Sequence, residues 1–292
     1  MKKQIVLFSI LVILLSWTAA ALFYLLNADL QSIAGFIFMS GYMWFPLLSV
    51  VIVQAIHKEP ILKGLGISFK LNRWFLVAWL LPVMFDLLAL FASALIPPMS
   101  FSTETPILQD ALAQMSQSIP GIDAYTLLAI TIASSLSAGI TINALFAFGE
   151  EIAWRSWLLK QLEGVNFLKT ALVIGTFWGI WHAPLIVMGH NYAQHPFIGI
   201  GMMIICCVLL TPIIQYIRIK SKSVITAVIF HGTLNAGAGL SLMYIDNFND
   251  LLGGPAGLTG FIILLFINCT LFAIDKWVTK ENIFTSPLSI EK

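Results

Sequence analysis

FIGIGMMIICCVLLTPIIQYIRI, residues 197–219, carries one charge, Arg218, close to its far end, and is followed at once by Lys220 and Lys222. A helix rises about 1.5 Å per residue, so a run of this length crosses the roughly 30 Å hydrocarbon core of a bilayer. A soluble helix of this size would need a polar face, and none is present. The run therefore reads as a transmembrane helix, and the chain around it repeats the pattern. Apolar stretches of spanning length fall at about 4–26, 31–56, 73–96, 125–149, 170–188, 197–219, 223–245 and 257–277. Composition agrees: the 292 residues are 59% hydrophobic and 10% charged, with a mean hydropathy of +0.92, whereas soluble domains are about one quarter charged. The expected fold class is an all-α polytopic membrane protein, a bundle of about eight transmembrane helices forming a single membrane domain over residues 1–292.

The first run resembles a secretory signal, with Lys2 and Lys3 before an apolar stretch and small residues at Ala19 to Ala21. Its apolar character continues through Leu25, and seven further runs follow, so it reads as a retained helix. Orientation comes from charge. With Lys2 and Lys3 inside, the inner segments are 57–72, 150–169, 219–222 and the tail from about 276, and all 15 Lys and Arg residues fall in them or at their edges. The outer segments carry Asp29, Glu104, Asp110, Asp123, Asp246 and Asp250 and no basic residue. The positive-inside rule thus places both termini in the cytoplasm. The net charge of +1 hides this sidedness, and no basic cluster suggests nucleic acid.

The outer connection 97–124 reads foremost as a solvated linker, with LQDALAQMSQ as a short interfacial helix the second reading. Cys206, Cys207 and Cys269 lie in apolar runs without metal or disulfide spacing and read as packing residues.

A short set of polar residues remains within or beside the spans: Asp86, Asn143, Glu150, Glu151, Arg155, His182, His231, Asn235 and Asn268. Charge in hydrocarbon is expensive and marks function by default. In FGEEIAWRSW, residues 148–157, Glu151 and Arg155 stand at i,i+4, where side chains meet on one face, and read as a structural pair. Glu150 is rotated about 100° from Glu151 and has no evident local partner, which leaves it the carboxylate for chemistry. Trp154 and Trp157 read as interfacial anchors. Trp178 and His182, and His231 and Asn235, repeat the i,i+4 spacing, with Pro184 bending the chain after His182. If the fourth span continues as helix to about Lys160, Glu150, His182 and His231 reach one depth, roughly 12 to 18 Å below the inner surface. Asp86 stands mid-span and either faces a cavity or bonds a neighbour. His57, His190 and His195 receive no role.

The ordered set E-E-x-x-x-R (Glu150, Glu151, Arg155), aromatic-x-x-x-H (Trp178, His182) and H-x-x-x-N (His231, Asn235) resembles the motifs of the CPBP family of intramembrane endopeptidases. That family includes CAAX proteases and the bacterial Abi type associated with bacteriocin processing and immunity. The motifs cover residues 150–235 and suggest a catalytic core over 125–245. One departure is visible: the second motif usually begins with Phe, and Trp178 stands there. The resemblance implies that Glu150 and His182 activate a water, that His231 and Asn235 stabilise the oxyanion, and that Glu151, Arg155 and Trp178 support them. It implies a membrane-associated peptide or protein as substrate, the lipid bilayer as surroundings and a cytoplasm-facing site, here in a bacterial plasma membrane.

No cofactor is expected, although zinc held by Glu150, His182 and His231 is a possible variant, since three N/O ligands with an open position suit catalytic zinc. No H-E-x-x-H is present to support it. The different-class alternatives are a non-hydrolytic immunity factor or scaffold, and a proton-coupled carrier, using the same polar cavity. Carriers often show duplicated halves, and none is apparent.

Overall fold

The computed structural model describes residues 3–61 and 64–290. Lys2, Lys63 and Lys292, three of the basic residues used to orient the chain, lie outside the described residues. The helices run in order as α1 (Lys3–Leu25), α2 (Ile33–Tyr42), α3 (Phe45–Ile56), α4 (Arg73–Ser93), α5 (Pro106–Ser116), α6 (Ala124–Gly139), α7 (Ile142–Glu151), α8 (Leu159–Gln161), α9 (Phe167–Trp181), α10 (Ala183–Val187), α11 (Pro196–Ser221), α12 (Val224–Gly237), α13 (Leu240–Tyr244) and α14 (Leu258–Ala273). A π-helical stretch, Ile152–Leu158, joins α7 to α8, and a second, Ile274–Thr279, extends α14. The protein is an all-α integral membrane protein.

Each of the eight apolar runs is largely helical, but they differ in reach. Among the described residues, six helical stretches are long and apolar enough to cross a membrane: Lys3–Leu25, Ile33–Ile56, Arg73–Ser93, Pro196–Ser221, Val224–Tyr244 and Leu258–Thr279. The fourth run is not one straight span. It breaks after Gly139, and Ala124–Gly139 meets Ile142–Gln161 at 49°. The fifth, α9, has only 15 residues, about 22 Å of helix. It ends where Pro184, lacking an amide hydrogen and crowding the preceding turn, starts the separate α10.

Two places depart from the sequence expectation. The outer connection is structured rather than a free linker. Thr105 caps α5 by accepting from Leu108 N, and Leu108 is buried with Leu90, Leu127 and Tyr244 in a small second core. The only strands among the described residues, β1 (Ser100–Phe101) and β2 (Ile245–Asp246), pair antiparallel beside it, Ser100 opposite Asp246. Trp154 and Trp157 are not interfacial anchors either; both are buried, against Phe8 of α1. The stretch that carries them continues from α7 between α3, α9 and α12 instead of surfacing.

Helix α12 is the centre of the bundle, packed against α4, α6, α7 and α11. The other close pair is α9 with α11. Gly175 and Gly179, one turn apart, face it: a Cβ at Gly175 would fall 2.7 Å from Val208 Cα, and one at Gly179 2.5 Å from Ile204 Cα. Small residues at this spacing let helix backbones approach in a lipid environment, where van der Waals contact drives association. The approach sets α9, with Trp178 and His182, firmly beside α11. Cys206 and Cys207 pack inside, as expected, but Cys269 lies on an exposed part of α14.

Candidate active site

Three separate stretches deliver the polar residues. Glu150 and Glu151 end α7, Arg155 lies in the π-helical turn after them, Trp178 and His182 close α9, and His231 sits mid-way along α12. Glu150, Glu151, Arg155, Trp178 and His231 are buried, and His182 is partly buried.

The local pair is as the spacing predicts: Arg155 Nη1 donates to Glu151 Oε1 at 2.9 Å, with both side chains fully enclosed. The guanidinium also donates through Nη2 to Thr211 Oγ1 of α11 (3.2 Å) and lies 4.0 Å above the Trp178 ring. Cation–π attraction of this kind strengthens when both groups are desolvated. Glu151 has a second partner that spacing alone does not reveal. His231 Nδ1 lies 2.8 Å from the same Oε1, so one carboxylate oxygen holds a guanidinium and an imidazole from two elements.

Glu150 is not without a partner, contrary to the sequence reading. Trp178 Nε1 donates to its Oε2 at 2.6 Å, leaving Oε1 without a protein hydrogen bond among the described residues. The same tryptophan fixes His182 through its backbone, His182 Nδ1 lying 2.8 Å from Trp178 O. A carbonyl oxygen only accepts, so Nδ1 carries the proton and the neutral ring presents Nε2 as a bare lone pair. The Trp178 ring is edge-on to His182 and His231, at centroid distances of 5.6 and 5.3 Å. Trp178 is thus the joint of the cluster, gathering Glu150, Arg155, His182 and His231.

Asn235 stands apart: it is exposed, one turn beyond His231 on α12, with no hydrogen bond among the described residues. Asp86 of α4 is fully buried near α12, where a Cβ at Gly237 would meet its Oδ2 at 2.2 Å. Neither Asp86 oxygen has a partner among the described residues. Asn268 is tied up structurally, donating to Leu209 O and Leu264 O. His195, given no role from sequence, pairs with Asp250 at 2.6 Å.

The zinc variant does not fit. Among the described residues no group of three or more His, Cys, Asp and Glu side chains is arranged to hold a metal.

Thr211 is the partner that sequence reasoning missed. Its only signal is a hydroxyl before Pro212 in an otherwise apolar run.

Residues 131–237 match the family described as type II CAAX prenyl endopeptidase, Rce1-like. The chain is also 33% identical over 92 residues to CAAX prenyl protease 2 of Methanococcus maripaludis. That match takes in 30% of this chain and 34% of the relative, so the chain spans about a third of the length of the curated relative it matches. Both matches agree with the resemblance carried by the three motifs.

Proposed function

We propose that this protein is a membrane-embedded endopeptidase that hydrolyses a peptide bond in a membrane-associated peptide or protein by a glutamate-activated water, with residues 125–245 as its catalytic core. The observation that carries the reading is the double grip of Trp178. It binds a carboxylate through its indole and an imidazole through its carbonyl, leaving Glu150 Oε1 and His182 Nε2 without a protein partner among the described residues; in this reading both accept from one water. The match over residues 131–237 supports the same reaction class.

In this mechanism the water gives its proton to Glu150 as its oxygen attacks the scissile carbonyl carbon, while His182 Nε2 orients it. The carbonyl π electrons move to oxygen, and the resulting oxyanion is met by His231 and Asn235. Nδ1 of His231 already donates to Glu151, so its Nε2 can donate to the oxyanion only when the ring carries both protons. Collapse of the intermediate breaks the C–N bond, and the proton held by Glu150 passes to the leaving amine. Asn235, exposed on α12, reaches the oxyanion from one turn beyond His231. The site is approached from the face that carries the basic residues, the cytoplasmic side of a bacterial plasma membrane.

The test uses purified full-length protein in lipid vesicles, with a farnesylated C-a-a-X peptide and its unprenylated twin as probes. Cleavage of a probe, read by mass spectrometry and undiminished by exhaustive chelation, is the expected result. A folded protein that cleaves neither probe removes the CAAX-type reading, and loss of activity on chelation removes the metal-free mechanism.

Trp178→Phe keeps the ring but deletes the donor to Glu150. Hydrogen bonds to charged groups are worth about 1.5 to 3 kcal/mol, so kcat should fall about ten- to hundredfold with KM little changed. Activity should survive, since Phe is the residue that the motif usually carries. An unaltered kcat would show that the indole does not position the carboxylate.

A further inference from the structure

A cavity of about 220 Å³ opens outside this site, among Gly64 and Gly66 of the α3–α4 connection, Lys160 of α8, Glu163 just after it, and Arg218 and Lys222 at the end of α11. Water occupies about 30 Å³ per molecule in the liquid, so the space exceeds what one or two bridging waters fill. Arg218 is its distinctive wall. Its side chain is 3% exposed, yet among the described residues it makes no ion pair and no hydrogen bond, and Nε is without a partner. An isolated buried charge is costly unless something of opposite sign compensates it.

The backbone is shaped to admit this arginine. Gly66 has φ +66°, in the left-handed region, and a Cβ there would lie 1.9 Å from Arg218 Nη2. Gly64 has φ +72°, and its Cβ would lie 2.7 Å from Lys160 Nζ. The loop is pinned where it stands: Val224 N donates to Gly66 O at 2.9 Å, and Ser156 Oγ donates to Leu65 O. Among the described residues that line the cavity, three cations, Lys160, Arg218 and Lys222, face a single acid, Glu163, whose Oε1 accepts from Ile290 N at 3.2 Å. Neighbouring Lys220, by contrast, already pairs with Glu281.

We propose that this pocket binds the phosphate of an anionic phospholipid headgroup. A guanidinium fork flanked by ammonium groups suits a tetrahedral polyoxyanion. The pocket lies at the end of the membrane-spanning helix α11, among Lys160, Arg218 and Lys222, in segments that the positive-inside rule sets against the anionic inner leaflet. Basic pockets between helix ends on that side are the known setting for acidic headgroups. The proposal does not depend on proteolysis, since none of the residues that line the pocket lies in the three motifs.

The test titrates detergent-purified full-length protein with dioctanoyl phosphatidylglycerol, dioctanoyl phosphatidylcholine or inorganic phosphate, and follows the melting temperature by tryptophan emission. Phosphatidylglycerol should raise it saturably, and phosphatidylcholine should not. In the Lys160→Gln, Lys222→Gln double variant, whose altered side chains are exposed, apparent affinity should fall about thirtyfold, a factor of about five per lysine. Arg218→Gln should abolish the response; if it does not fold, the double variant still decides. Equal stabilisation by phosphatidylcholine, or undiminished affinity in the double variant, overturns the proposal. Inorganic phosphate saturating at the same concentration as the lipid would make the ligand free phosphate and overturn the headgroup. A variant that raises KM for a peptide with a free carboxyl terminus while its lipid affinity is unchanged would assign the pocket to substrate instead.

Discussion

Glu150→Gln is expected to bring peptide hydrolysis below detection in a protein that still folds. The amide keeps the size of the carboxylate, and its oxygen can still accept from Trp178, so the packing around α7 and α9 is preserved. What is lost is a group able to take a proton from water. General-base catalysis alone contributes about 10²- to 10⁴-fold, and the same residue must return the proton to the leaving amine. The measurement is kcat together with the melting temperature in detergent. Turnover above a tenth of the parent value, at an unchanged melting temperature, would remove Glu150 from the chemistry and with it the proposed mechanism.

Glu151→Gln should have its largest effect on stability. Glu151 Oε1 holds Arg155 at 2.9 Å and His231 at 2.8 Å, all three side chains being buried. Neutralising it strands a guanidinium that retains only Thr211 and the Trp178 face. Removing one partner of a buried ion pair costs about 3 to 5 kcal/mol. The variant should therefore melt well below Glu150→Gln and express poorly. Replacing the pair together, as Glu151→Gln with Arg155→Met, should recover part of the loss, because apolar replacement of a buried pair is often close to neutral. Equal melting temperatures for the Glu150 and Glu151 variants would contradict the division between a carboxylate for chemistry and one for architecture.

How far these features were legible in the sequence depends on the range of the interaction. The Glu151–Arg155 pair follows from i,i+4 geometry within one helical stretch, and the membrane class follows from the length of the apolar runs. The partner of Glu150 does not, because Trp178 is 28 residues away on another helix and its indole direction is set by how α9 packs on α11. The sharing of Glu151 with His231, 80 residues on, is hidden for the same reason. The interfacial expectation for Trp154 and Trp157 fails although tryptophan beside charge at the end of an apolar run is the ordinary signature of a membrane interface. Here the chain is already bent near Gly139, so the stretch after it lies inside the bundle, and the charge beside them is neutralised internally. The polar composition of the connection 97–124 suggests a linker. Thr105 and Pro106 supply a cap and a first-turn proline, and Leu108, buried, with Ala111, Leu112 and Met115 packed beside it, seats the helix on the second core.

Trp178 holds the two proposed water-activating groups by different parts of itself, and the difference bears on how such a site can diversify. His182 leans on the main-chain carbonyl, which any residue at position 178 supplies. Glu150 leans on the indole, which only tryptophan supplies. The imidazole's tautomer is therefore indifferent to substitution there, while the tether on the carboxylate is heritable and optional. A lineage could exchange tryptophan and phenylalanine at this one codon and retune the strength of its base, leaving the histidine and the helix geometry as they were.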